Sequence, residues 1–138
     1  MADLIKIAVD AMGGDNSPKK VIDGIIHNHK NNKANFFKIF GDKNKIISLI
    51  KDEIDNQYYE IIHTENFVLS TDSPLEAAKK GKDTSMWLAI ESVKKNEADI
   101  VISAGNTGAL LVIAKLNLKM IQDIDKLSLI HISEPTRQ

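Results

Sequence analysis

The chain has 138 residues, 43% of them hydrophobic, enough to bury one core and too few for two ordinary domains. Its 18 basic and 19 acidic residues leave a net charge of -1, which argues against nucleic acid or an anionic membrane surface as a partner held by charge. With no cysteine, a disulfide framework, a thiolate metal site and a cysteine nucleophile are excluded, and a reducing cytoplasmic setting is compatible.

Asp3 stands where a signal peptide needs a basic region, and the most apolar stretch, residues 98–116, is broken by Asp99, Asn106 and Lys115. A soluble protein is expected. Leu4 to Val9 reads as a first strand. Ser17 then offers an N-cap and Pro18 a first helical position, ahead of a helix with Val21, Ile22, Ile25 and Ile26 on one face. Asn35 to Gly41 reads as a second strand, followed by Asp42 as cap of a helix whose apolar face is Ile46, Ile47, Ile50 and Ile54. Tyr58 to His63 is the third strand. Thr64 to Pro74 reads as a loop, Leu75 to Lys80 as a short helix, and Met86, Ile90 and Val93 as the inward face of another. Asp99 to Ser103 is the fourth strand, and Ala109 to Met120 is apolar nearly all round, as a buried helix is. Strands alternating with helices predict βαβ units, hence an α/β protein with a mainly parallel, doubly wound sheet covered on both faces.

In such sheets ligands bind where strands end at their carboxyl edge, so the loops after the first and fourth strands are the ones to inspect. The first reads Asp10-Ala11-Met12-Gly13-Gly14-Asp15-Asn16-Ser17-Pro18; paired glycines admit close backbone approach, and the following helix start offers free amides to an anion. The second reads Ser103-Ala104-Gly105-Asn106-Thr107-Gly108, with hydroxyls and a carboxamide able to donate beside the amides. Each also suits an ordinary capped turn. Neither matches the dinucleotide or P-loop pattern. Lys79, Lys80 and Lys82 precede a helix start at Thr84, Ser85 and Met86, where a lysine can neutralise phosphate or carboxylate, or simply face solvent. His63 ends a strand without a visible partner. No metal-ligand spacing is present, so no metal and no cofactor are expected.

The segments Asp10-Ala11-Met12-Gly13-Gly14-Asp15 with Pro18, Lys82-Asp83-Thr84-Ser85-Met86, and Ser103-Ala104-Gly105-Asn106-Thr107-Gly108-Ala109-Leu110 resemble, in order and spacing, the bacterial phosphate acyltransferases of phospholipid synthesis, the PlsX family. Ile62-His63-Thr64, Asp72 with Pro74, and Glu97-Ala98-Asp99 look like further family positions. The resemblance spans residues 3–126 and is most specific in the run from Ser103. It implies reversible transfer of a fatty acyl group from acyl carrier protein to inorganic phosphate, giving acyl phosphate for phosphatidic acid synthesis. It also implies a three-layer α/β/α fold like that of isocitrate and isopropylmalate dehydrogenases, a cytoplasmic homodimer, peripheral membrane association, and a glycerol-3-phosphate acyltransferase as downstream partner.

On that basis Lys82, Asn106 and Thr107 are the expected catalytic residues. Asp10, Gly13, Gly14, Asp15, Ser85, Ser103, Gly105 and Gly108 are expected to bind phosphate or acyl phosphate. Two other readings stand beside this one. A phosphotransacetylase or dehydrogenase of the same fold group requires a coenzyme A site or a metal-binding acid pair, and a non-catalytic docking module for carrier protein requires a basic face such as lysines 79, 80, 82, 94 and 95 provide.

After Asp123-Ile124-Asp125 the resemblance stops. Leu127 to Gln138, which holds the lone arginine, Arg137, reads as the translation of a common transposase sequencing adapter. Residues 1–126 are therefore expected to be the amino-terminal part of a longer acyltransferase domain, inactive alone, and residues 127–138 a non-native tail.

Overall fold

A computed structural model of the chain describes residues 4–118. Four strands form one sheet: β1 (Ile5–Asp10), β2 (Asn35–Gly41), β3 (Tyr59–His63) and β4 (Ile100–Ser103). They are all parallel, in the order β3-β2-β1-β4. Register aligns Ile7 with Phe37 and Ile100, and Asp10 with Phe40 and Ser103. The five helices are α1 (Lys19–Asn31), α2 (Lys43–Ile50), α3 (Pro74–Lys79), α4 (Ser85–Lys94) and α5 (Thr107–Leu118), with a 3-10 turn at Asn56–Tyr58.

Successive strand residues face opposite ways, and this splits the core in two. Ile7 and Val9 of β1, with Phe37 and Ile39 of β2, pack against Ile22 and Ile25 of α1 and Ile46 and Ile50 of α2. Ala8, Phe40 and Val101 face the other way, onto Met86, Trp87, Ala89 and Ile90 of α4 and Ala109, Ile113 and Ala114 of α5. The result is a three-layer α/β/α arrangement. Burying each of the larger of these side chains contributes about 1.5–3 kcal/mol relative to leaving it in water. Asp10 shares the Ala8 face of β1, so its carboxylate enters the second layer directly over the start of α4.

Several boundaries differ from the sequence reading for identifiable reasons. β1 begins and ends one residue later than expected, and Tyr58 closes the 3-10 turn rather than opening β3. Ser17 does not cap α1: the cap position is Pro18, which has no side-chain bond to offer. Ile47 is 46% exposed, because α2 is only eight residues long and buries just Ile46 and Ile50. Ile54 lies past that helix, beyond a turn at Lys51, yet is 3% exposed. α5 is less uniformly buried than its composition suggests: Ala109, Ile113, Ala114 and Asn117 form its inner stripe, while Leu116 is exposed. The expected end of this helix at Met120 and the tail 127–138 lie outside the described residues.

The loop between β3 and α3 is held by side chains rather than by periodic apolar packing. Ser73 accepts from the Glu76 amide while Glu76 accepts from the Ser73 amide, a reciprocal cap with Pro74 at the first helical position. Asp72 accepts from the Leu69 amide at 2.9 Å and pairs with Lys80 at 2.6 Å. Its carboxyl is held below the ordinary range, mainly by the Lys80 hydrogen bond and then by the Leu69 amide. Thr64 donates to the Asp83 carbonyl, and the Ser85 amide donates to the Asn66 carbonyl at 3.0 Å.

Candidate active site

Strands β1 and β4 are neighbours, but the chain leaves them for opposite faces of the sheet: β1 leads to α1, β4 to α5. In sheets of this topology ligands bind between the carboxyl ends of two such strands. Both glycine turns lie there. The Gly14 Cα faces the Ala104 carbonyl so closely that an added Cβ would sit 3.0 Å from its oxygen. A Cβ on Gly105 would lie 3.8 Å from the Gly13 carbonyl carbon. Gly13 has a φ of +91°, a conformation L side chains rarely adopt.

Beneath these turns is Asp10, 1% exposed. Its carboxylate accepts from Ser85 Oγ at 2.6 Å, Ser103 Oγ at 2.9 Å and the Met12 amide at 3.1 Å. Ser103 Oγ in turn accepts from the Gly105 amide at 3.2 Å. Burial pushes the Asp10 carboxyl up to about 6, against the lowering effect of the Ser85, Met12 and Ser103 hydrogen bonds. One carboxylate thus ties together the β1–α1 loop, the start of α4 and the β4–α5 turn.

Asn106 caps α5 by accepting from the Ala109 amide at 3.0 Å. Its Nδ2 donates to the Asp72 carbonyl at 2.5 Å and the Leu69 carbonyl at 3.3 Å, so its side chain joins the α5 turn to the loop before α3. Gly108 supports the same contact, since a Cβ there would meet the Pro74 ring at 3.1 Å. Thr107 is exposed at the mouth of the turn.

Among the described residues, no acceptor faces the amides of Gly13, Gly14, Asp15 and Asn16, nor those of Thr107 and Gly108 at the start of α5. The buried hydroxyl oxygen of Ser17 also has no partner, and a Cβ on Gly14 would lie 3.2 Å from it. Buried polar groups are ordinarily satisfied, and Ser17 Oγ shares its lack of a partner with His29 Nδ1 and Trp87 Nε1 elsewhere in the fold. Donors without matching acceptors suit an anion.

Of the residues singled out from sequence, the structure brings Asp10, Gly13, Gly14, Ser85, Ser103, Gly105, Asn106 and Gly108 into one cluster. Asp15 and Lys82 are exposed and, among the described residues, bond to no member of it. Lys82 nonetheless lies two residues before Thr84, whose hydroxyl caps α4 by accepting from the Trp87 amide. His63 is remote, at the end of the edge strand β3, where its Nδ1 accepts from the Lys43 amide at 3.0 Å. Sequence reasoning missed the orphaned Ser17 hydroxyl, which it assigned to capping, and the Ser73–Glu76 box, although Ser-Pro-Leu-Glu fits the cap pattern. No group of three or more histidine and acidic residues that could hold a metal occurs among the described residues, and none of their helices is long and apolar enough to cross a membrane.

Fold and cluster together define a doubly wound α/β protein whose two glycine turns meet at its switch point. A family model described as "Fatty acid synthesis protein" matches residues 5–138, and the chain belongs to that family. It is 67% identical over 126 residues to a phosphate acyltransferase of Pelagibacter ubique, a match covering 91% of this chain and 38% of the relative. It is 41% identical over 128 residues to the phosphate acyltransferase of Bradyrhizobium diazoefficiens, covering 91% and 36%, and 39% identical over 121 residues to that of Streptococcus pyogenes serotype M5, covering 88% and 35%. The chain thus spans less than two-fifths of the length of these relatives.

Proposed function

We propose that this segment is the phosphate-binding part of an acyltransferase that moves a fatty acyl group from acyl carrier protein to inorganic phosphate, forming acyl phosphate for phospholipid synthesis. The observation that carries the reading is the convergence of two glycine turns, with unpaired amides and an orphaned serine hydroxyl, at the sheet's switch point in a chain of this family.

In this reading the amides around Gly13 and Gly14 and those at the start of α5, with the Thr107 hydroxyl and the Lys82 ammonium, hold phosphate with one oxygen toward the thioester carbonyl. That oxygen forms the new C–O bond. The carbonyl π electrons move to oxygen, and collapse of the tetrahedral species breaks the C–S bond, releasing the carrier-protein thiolate to take up a proton. Phosphate is already partly dianionic near neutrality, so strong base catalysis is unnecessary. Orientation supplies much of the acceleration, and each well-placed donor to the oxyanion contributes about 3–4 kcal/mol. Asn106 serves by shaping the α5 turn, since its amide is engaged by backbone carbonyls.

A cytoplasmic homodimer acting at the membrane surface, handing acyl phosphate to a glycerol-3-phosphate acyltransferase, belongs to the same proposal. Because the relatives are far longer than this segment, the test uses the full-length protein that carries it. Thiol release from acyl carrier protein thioester is expected to depend on inorganic phosphate and to run backward when acyl phosphate and free carrier protein are supplied. Thiol release at one rate with and without phosphate would contradict the proposal.

A further inference from the structure

We propose that Asp10 is a positioning residue that sets the affinity of the crevice for phosphate by holding three separate chain segments in register, without touching the ligand. The inference rests on the phosphate-binding reading above and extends it to a residue that the chemistry does not use.

Four observations support it. The side chain is buried, at the carboxyl end of the central strand β1, which is where a contact with ligand would otherwise be expected. Both of its oxygens are engaged: Oδ1 takes the Ser85 hydroxyl and the Met12 amide, and Oδ2 takes the Ser103 hydroxyl. Two of those partners come from distant parts of the chain, 75 residues away for Ser85 and 93 for Ser103, while Met12 follows two residues on in the loop after β1. Finally, the Ser103 oxygen passes the constraint on to the Gly105 amide, the first glycine of the turn that opens α5.

An alternative for a buried carboxylate at this edge is direct participation as base. Its geometry disfavours that role, because both oxygens are already taken up by protein donors, Oδ1 by Ser85 and Met12 and Oδ2 by Ser103. An anion placed against this carboxylate would also be repelled, whereas an anion held by the amides that the carboxylate arranges would not. Ser85 and Ser103 are part of the same device: each is a hydroxyl whose proton is committed to Asp10.

The test is steady-state kinetics of phosphate-dependent thiol release by the full-length protein, with Asp10→Asn, Ser103→Ala and Ser103→Thr. Asp10→Asn is expected to raise KM for inorganic phosphate roughly tenfold, the change that goes with losing one hydrogen bond to a charged group, with kcat held within about threefold. Ser103→Ala should move KM the same way, and Ser103→Thr, which keeps the hydroxyl at a partly buried position, should restore it. The Ser103 pair decides the matter if Asp10→Asn does not fold. A fall in kcat with KM for phosphate unchanged would make Asp10 part of the chemical step and overturn the proposal, as would wild-type KM in both Asp10→Asn and Ser103→Ala. If the wild-type protein itself shows no dependence on phosphate, it is the underlying reading that fails.

Discussion

Gly13 and Val68 approach so closely that a Cβ on Gly13 would lie 2.3 Å from the Val68 carbonyl oxygen. The contact joins the first glycine turn to the loop between β3 and α3, and its other member is backbone, which cannot swing aside. Gly13 also has φ +91°.

Gly13→Ala therefore meets two independent penalties, backbone strain of about 1–3 kcal/mol and a displaced main chain. A melting temperature lowered by several degrees and a weakened response to added phosphate are expected. Gly24 is the matched control. It lies inside α1, a Cβ there would meet nothing within 4 Å, and Gly24→Ala should stabilise by about 0.5–1 kcal/mol through helix propensity. Parallel thermal denaturation of the two variants checks the contrast; equal shifts would refute it.

Asn106 carries two structural duties that substitution can separate. Its Oδ1 caps α5, and its Nδ2 holds the carbonyls of Leu69 and Asp72. Asn106→Ala loses both and should cost about 2–3 kcal/mol, the sum of a lost cap and an unpaired Asp72 carbonyl, since the Leu69 carbonyl keeps the Asp72 amide. Asn106→Ser keeps a capping oxygen and should recover about 1 kcal/mol of that loss. Chemical denaturation of the full-length protein reads the difference. If the serine variant is no better than alanine, the cap is not what Asn106 contributes.

The layered fold was legible because hydrophobic period survives in short elements: alternate residues of β1 sort to opposite faces, and Ile22 with Ile25 keeps helical spacing. The positions of Gly13, Gly14 and Gly105 were legible for the same reason, as glycines directly after strands. What pattern could not supply was the partner of each polar group. Ser17 precedes Pro18 and a helix, yet its hydroxyl caps nothing. Asn106 looked like a ligand donor, and only the arrival of a loop 34 residues earlier in the chain engages its amide. Ile47 fits an apolar helix face by spacing, but among the described residues the eight-residue α2 buries only Ile46 and Ile50 and leaves it exposed. Local sequence encodes which face is apolar; long-range packing decides which donors remain free.

Asp10 predicts a pH dependence of stability opposite in sign to that of a surface carboxylate. Folding raises its carboxyl from 3.8 to about 6, so between those values the folded chain retains a proton that the unfolded chain has released. Its contribution is thus full below 3.8, declines as pH rises to about 6, and is level above that, a change of roughly 3 kcal/mol. Asp10→Asn has no such titration. The difference in melting temperature between wild type and variant should shift toward the variant from pH 4 to pH 6 and then hold steady. Parallel curves over that window would contradict the assignment.

Lys82 separates function from stability more cleanly than any residue of the cluster. It is exposed and, among the described residues, makes no hydrogen bond or ion pair, so replacing it with methionine removes charge while leaving packing intact. Lys82→Met should change stability by less than about 0.5 kcal/mol, as substitutions at such surface sites do. If its ammonium helps to hold phosphate, KM for phosphate should rise several-fold in the full-length enzyme, and the wild-type advantage should shrink as ionic strength is raised and the Debye length falls below about 10 Å. Lys82→Arg, which keeps the charge on a bulkier head, should retain most of the affinity. A methionine variant with unaltered KM at low salt would remove Lys82 from the site and leave phosphate to the amides and hydroxyls alone.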